Sequence, residues 1–156
     1  MPVKYGIGVM EMKRMRKLDQ QLCFEVYKAS SNFTKMYARV LEPFNLTFTQ
    51  YLVLLVLWEE DRLLTKDIGE RLGLGTGTLN PIISRMIEHG RLNKEQSKED
   101  KRAYIISLTE KAKAEHDPIE KAVMDKLVSC NFMDVNAITL MKNLKELNAF
   151  FTEMDL

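Results

Sequence analysis

Gly75-Thr76-Gly77-Thr78-Leu79-Asn80-Pro81-Ile82-Ile83-Ser84-Arg85-Met86 reads as a short helix with two unlike faces. At about 100° per residue, Leu79, Ile82, Ile83, Met86 and Ile87 fall on one arc of roughly 140°. Thr78, Ser84, Arg85 and Glu88 lie on the other side. Thr76 or Thr78 is the expected N-cap. With Thr78 as cap, Pro81 falls in the first turn, where its missing N–H costs least. Gly90 is the expected stop. The polar face carries small hydroxyls, an amide and one arginine, with no acid before Glu88. A helix that enters a DNA major groove by its N-terminus needs such a face. Small residues let the backbone approach, and Arg or Asn pairs with guanine or adenine edges. Taken alone, an ordinary amphipathic surface helix reads the same way.

The flanks decide between the two. Upstream, Leu64-Thr65-Lys66-Asp67-Ile68-Gly69-Glu70-Arg71-Leu72 predicts a second short helix, with Thr65 as cap, Ile68 and Leu72 inward, and Gly73 as stop. Gly73, Leu74 and Gly75 then form the turn of a helix-turn-helix over 65–90. Downstream, Arg91–Lys94 and Ala103–Leu108 predict two strands around a charged tip at 95–102. A helix-turn-helix followed by such a hairpin is a winged helix.

The stretch "LTKDIGERLGLGTGTLNPIISRMIEHGRL", followed by "SKEDKRAYIISLTEKA", resembles the winged helix-turn-helix of the MarR family of bacterial repressors. Asp100-x-Arg102 and the "ISLTE" exit are marks of that family. The stretch "QLCFEVYKASSNFTKMYARVLEPFNLTFTQYLVLLVLWE" is similar to its OhrR-like, organic hydroperoxide-sensing branch. The resemblance covers about residues 18–153. It implies that Cys23, in "QLCF", is the sensor and that subunits dimerise through their first and last helices. It also implies that aromatic hydroxyls of the partner subunit surround the thiol. Tyr37 matches one of those positions and Tyr51 is a neighbouring aromatic. Phe48 stands where that branch usually has tyrosine and donates no hydrogen bond.

Composition agrees and sets limits. The chain has 156 residues, 46% of them apolar, which suits one domain or one subunit of a dimer. Net charge is only +1, so DNA binding must rest on local charge. In 91–102, Arg91, Lys94, Lys98, Lys101 and Arg102 outweigh Glu95, Glu99 and Asp100 by two. No apolar run reaches about 18 residues, and no secretory signal is visible. Two cysteines without secretion point to free thiols in a reducing cytoplasm. Cys23, Cys130, His89 and His116 show no metal-ligand spacing and no nucleophile–base pattern, and the glycines form no phosphate loop. No metal, cofactor or catalytic residue is expected, and the chain does not read as an enzyme.

The expected fold is mainly α with a small β-wing. Residues 1–17 form a basic arm, and 18–156 a single subunit with dimerisation helices at 18–46 and 109–156 around a winged helix-turn-helix at 47–108. A long helix should run from an Asp19 cap to about Glu42, where Pro43 ends it. Thr47-Phe48-Thr49-Gln50 reads as a capping box opening a buried apolar helix through Trp58. Thr109 caps the helix after the wing, which should break near Asp117-Pro118 and resume to about Ser129. Asn131-Phe132-Met133 is a connector. From an Asp134 cap, Ala137, Met141, Leu144, Leu147, Phe151 and Met154 then form a seam, interrupted by Asn148.

Two cysteines remain to be weighed. With Asp19 as cap, Cys23 is the fourth helical position, near the positive end of the helix dipole, which favours a thiolate. Tyr27 lies one turn on and faces the same way. A buried, inert cysteine fits the spacing as well. The resemblance offers Cys130 as the resolving thiol of a two-cysteine subgroup, one that condenses with an oxidised Cys23 of the other subunit; a small buried hydrophobe fits as well.

Thr76, Thr78, Asn80, Arg85, Asp100 and Arg102 are the expected DNA contacts, and a homodimer on a palindromic double-stranded operator is the expected assembly. The function expected is a repressor that leaves its operator when organic peroxide oxidises Cys23. The alternative is release by a small phenolic or aromatic ligand, with Cys23 a bystander.

Overall fold

The computed structural model describes Leu18, residues 21–131 and residues 135–154. The arm at 1–17 and the caps expected at Asp19 and Asp134 lie outside the described residues. Helix α1 (Leu22–Leu41) is the long first helix, and Gln21 takes the N-cap position. It passes into a 3-10 turn, Glu42–Phe44, that takes Pro43 into its start and closes on Asn45 with a left-handed φ of 53°. Helix α2 (Phe48–Glu59) opens with the expected capping box. Thr47 Oγ1 accepts from the Gln50 amide at 3.3 Å, and the Gln50 side chain accepts from the Thr47 amide at 3.2 Å. Val53, Leu54 and Leu57 of α2 are almost wholly buried, so this helix is the spine of the core. Leu41, Ile68, Leu79, Met86, Ile106 and Ile119 close around it.

The helix-turn-helix is α3 (Thr65–Leu72) and α4 (Thr76–Glu88). Gly73 stops α3 with φ 66°. Gly69 is required for a different reason: a Cβ there would lie 2.7 Å from the Leu74 carbonyl oxygen, so the turn folds back onto bare backbone. Leu79, Ile83 and Met86 are the buried face of α4, as its periodicity predicts.

Both expected caps move by one residue or more. Leu64 precedes α3 and Gly75 precedes α4, with no side-chain cap at either. Thr65 and Thr76 are already helical, and Thr65 Oγ1 donates instead to the Tyr104 carbonyl at 3.4 Å. Glycine needs no side chain to take the extended N-cap conformation. Pro81 is therefore the sixth helical residue rather than one of the first turn. Its missing N–H leaves the exposed Gly77 carbonyl without its usual partner four residues on, where water can serve it. Gly90, at φ 73°, ends the helix as expected.

The wing is β2 (Leu92–Gln96) paired antiparallel with β3 (Tyr104–Leu108), in register from Leu92↔Leu108 to Gln96↔Tyr104. The strand starts one residue later and runs two residues further than expected, so the tip is 97–103. A two-residue strand, β1 (Leu63–Leu64), joins the other edge of β3 and makes the sheet order β1-β3-β2. Thr109 caps α5 (Glu110–Ala114) by accepting from the Ala112 amide at 3.2 Å. The break comes at Glu115, and α6 (His116–Ser129) carries Pro118 as its third residue rather than its first. Helix α7 (Val135–Glu153) is the expected C-terminal helix. Among the described residues no single helix is long and apolar enough to cross a membrane.

Candidate functional site

The recognition face is assembled by burying its opposite. With Leu79, Ile83 and Met86 fixed in the core, Thr76, Thr78, Asn80, Ser84 and Arg85 all stand exposed on α4. A Cβ added at Gly75 or Gly77 would meet nothing within 4 Å. A glycine inside a helix costs about 0.5–1 kcal/mol relative to alanine, and intrachain packing does not demand Gly77. The backbone there is open on that side.

The wing tip is held by a residue that the motif reading passed over. Ser97 is nearly buried, and its Oγ accepts from the amides of Glu99 (3.3 Å) and Asp100 (3.4 Å). The signal was present as a serine two and three residues before those amides. Asp100 Oδ1 accepts from the Arg102 amide at 2.9 Å. Asp100 thus shapes the backbone from which Arg102 projects, and both side chains are exposed. Lys94 lies 4.3 Å from the Tyr104 ring centroid, which fixes its ammonium over the sheet. Arg91 does not belong to this surface. It is 3% exposed and paired with Glu115, so the excess of positive charge at the wing falls from two to one.

Both thiols are free and exposed, so neither is a small core residue. Cys23 is the second residue of α1 rather than the fourth, because the helix starts at Leu22. Tyr27, on the same side, is also exposed. Cys130 is the C-cap of α6, with its Sγ 3.9 Å from Ser129 Oγ. It opens onto a groove of ≈ 620 Å³ whose walls include Lys28, Phe33, Met36, Arg39 and Lys126.

Tyr37, Phe48 and Tyr51 pack together, without Tyr27 and away from Cys23 of the same chain. Tyr37 stacks on Phe48 at 4.7 Å and on Tyr51 at 5.8 Å. Tyr51 meets Trp58 edge-on at 6.4 Å, and Trp58 meets His116 at 4.7 Å. Burial raises the Tyr37 phenol above its ordinary value. Tyr51 is pushed up to about 12 by burial first, then by Tyr37 and Glu120. Both remain neutral O–H groups at any physiological pH. Fourteen residues of helix separate Cys23 from Tyr37, about 21 Å at the usual rise. Within one chain the thiol cannot touch these rings; a second chain can bring them to it.

His116, Asp117 and Glu120 place donor atoms within 4.8 Å of one another. A search for cysteine and histidine spacing alone does not find this group. The carboxylates face the imidazole from both sides, Asp117 on Nδ1 at 3.2 Å and Glu120 on Nε2 at 3.8 Å.

A family model described as transcriptional regulator SarA/Rot matches residues 35–119. The organic hydroperoxide resistance transcriptional regulator of Bacillus subtilis (strain 168) is 47% identical over 94 residues, 60% of this chain. The match spans 64% of that relative's length, under two thirds. The HTH-type transcriptional regulator MgrA of Staphylococcus aureus is 32% identical over 142 residues, covering 89% of this chain and 96% of MgrA. Among solved structures, reduced AbfR bound to DNA superposes with a TM-score of 0.75 at 31% identity, over 92% of this chain and 98% of that one. Disulfide-formed AbfR superposes at 0.65 with 32% identity, over 94% and 97%; AbfR is from Staphylococcus epidermidis.

Proposed function

We propose, since the chain belongs to the SarA/Rot family of MarR-like winged-helix transcriptional regulators, that it is a homodimeric repressor released from DNA when an organic hydroperoxide oxidises Cys23. The observation that carries this reading is the exposure of a thiol in the first turn of α1 on the same chain as an outward polar α4. The similarity to a hydroperoxide resistance regulator and to AbfR, solved both on DNA and as a disulfide, supports it. Thr76, Thr78, Asn80 and Arg85 would face the major groove, and Arg102 the minor groove or its phosphates. The regulator would act in the cytoplasm, and its role is regulatory rather than catalytic.

The chemistry balances with the oxidant as the only co-reactant. The Cys23 thiolate attacks the outer oxygen of R–O–OH, the O–O bond breaks, and a sulfenic acid and an alkoxide form. A thiol, Cys130 of the other subunit in this reading, then attacks the sulfenic sulfur and releases water, leaving a disulfide. Either product changes the packing around α1, and twofold half-site spacing makes binding sensitive to a few ångströms of displacement. To switch binding tenfold, the oxidised state need differ by only about 1.4 kcal/mol.

The alternative, release by a small phenolic ligand, rests on the pocket lined by Tyr37, Tyr51, Trp58, His116 and Glu120. In one chain this pocket encloses ≈ 160 Å³.

The test uses a duplex selected from a random library by the reduced protein. Parent and Cys23→Ser should bind it alike, and only the parent should lose it after treatment with cumene hydroperoxide. Equal loss by both would remove Cys23 as the sensor.

A further inference from the structure

We propose that the pair formed by buried Arg91 and half-buried Glu115 is the strut that sets the angle of the recognition helix and wing against the long helices, so that Arg91 is a positioning residue for DNA binding without touching DNA. The inference rests on the DNA-binding reading above. Its basis is one side chain that meets elements distant in the sequence. Arg91 follows the left-handed Gly90 that ends α4, and its chain continues into β2. Its guanidinium turns inward. Nε donates to Glu115 Oε2 at 2.8 Å and Nη2 to Glu115 Oε1 at 3.3 Å, a two-pronged pairing. Nη1 donates to the Asn45 carbonyl at 3.4 Å, and Nη2 also to the Phe44 carbonyl. The Arg91 amide donates to the Met86 carbonyl at 2.9 Å, and its own carbonyl accepts from the Thr109 amide at 3.0 Å.

These partners are the joints of the molecule. Phe44 and Asn45 close the 3-10 turn that follows α1. Glu115 is the break between α5 and α6, and the next residue, His116, packs tilted against Trp58 at the end of the aromatic column that starts at Tyr37. A shift of α1 reaches Arg91 through two carbonyls, and a shift of α6 reaches it through a carboxylate. Stability alone does not call for this arrangement, because apolar residues of similar volume serve a buried site as well as an ion pair does. A forked pair differs from them in direction. It is satisfied in one arrangement, and losing a partner leaves a buried charge exposed to an apolar surrounding. The link therefore transmits displacement as a change between arrangements instead of absorbing it.

The double variant Arg91→Met/Glu115→Leu keeps the volume and removes the direction. The expected result is a folded protein whose thermal midpoint is at or above the parent's, with DNA affinity lowered roughly tenfold. The dependence of affinity on salt should keep the parental slope, because no phosphate contact is lost. A second readout needs no DNA. In a Cys23→Ser/Cys130→Ser background, spin labels at Lys35→Cys on α1 and Ser84→Cys on α4, diluted in unlabelled chain, report an intrachain distance. Its distribution should be narrow with the pair present and broad in the double variant. Should the double variant not fold, Glu115→Gln, which keeps the shape and removes the charge, carries the same expectation for affinity, salt slope and distance distribution, with a thermal midpoint below the parent's because Arg91 loses its counter-charge. A parental distance distribution together with parental affinity would reduce Arg91 to packing, and a salt slope lowered by about one would make it a phosphate contact; either overturns the proposal. If the parent selects no duplex, the DNA-binding reading fails, while the distance measurement still decides whether the pair orients α4.

Discussion

Leu144→Glu tests the assembly on which the proposed function depends. Leu22, Val26 and Tyr27 on α1 and Ile138, Leu140, Met141, Leu144, Phe150 and Phe151 on α7 are each at least 42% exposed. At roughly 80 Å² of exposed surface apiece they leave about 700 Å² of apolar surface uncovered in one chain. Leu144 itself is 42% exposed, close to 70 Å² for a side chain of about 170 Å². Covering that area in both subunits contributes about 3.5 kcal/mol at ~25 cal/mol per Å², or roughly 300-fold in Kd. A glutamate loses this term and places an unpaired carboxylate in the seam, so 300-fold is a lower bound. Leu144 lies outside the buried core, so the chain should keep its helical circular dichroism. Sedimentation velocity across a dilution series measures the change. A variant that sediments as a dimer with the parental Kd would refute the assignment of this face to the twofold interface.

Arg85→Ala should cost roughly 1–3 kcal/mol in DNA binding and relax specificity at one base, read by selection from randomised duplexes. Arg102→Ala should weaken binding to all sequences and lower the salt slope by about one, measured by titration at several salt concentrations. Thr47→Ala removes the hydroxyl that accepts from the Gln50 amide and should cost about 1 kcal/mol of stability in denaturant melts. The Tyr51 phenol gives a pH dependence of definite sign. Its folded-state value is raised from 10.0 to about 12, so the folded chain keeps a proton that the unfolded chain releases. That stability is complete below pH 10 and is lost as pH rises toward 12. Thermal melts through this range should show the loss, and Tyr51→Phe should flatten it.

What could be read from the sequence was written locally. The Thr47 capping box, the Thr109 cap and the Gly73 and Gly90 stops each depend on atoms within a few residues, and all stand where their spacing placed them. The buried face of α4 followed from periodicity, because one core decides all of its positions at once. The misses share another cause. Thr65 satisfies its hydroxyl on Tyr104, and α6 starts at His116 while Glu115 is held by Arg91; these partners are distant in sequence. Strand β1 has two residues, too few for any period. Along the chain Arg91 belongs with the wing charges, because its neighbours in sequence are wing residues. Its partners Phe44, Asn45 and Glu115 become its neighbours only after folding.

The same distinction bears on the sensor. Phe48 stacks on Tyr37 and carries no hydroxyl to donate, so it extends the aromatic column without adding a donor. Tyr37 and Tyr51 keep their protons at working pH and can donate to an anionic sulfur. Yet about 21 Å of α1 separates these rings from Cys23 in their own chain. A donor set and a thiol that one chain holds so far apart form a site only when a second chain brings its own. Sensing and DNA reading then have the same requirement, the twofold arrangement of α1 and α7. A peroxide response in a protein made monomeric by Leu144→Glu, with Cys23 oxidised at the parental rate in mass spectra, would separate the two. The expected outcome is slower oxidation of Cys23 in that variant, if the proposed stabilisation of the thiolate by the partner's phenols holds.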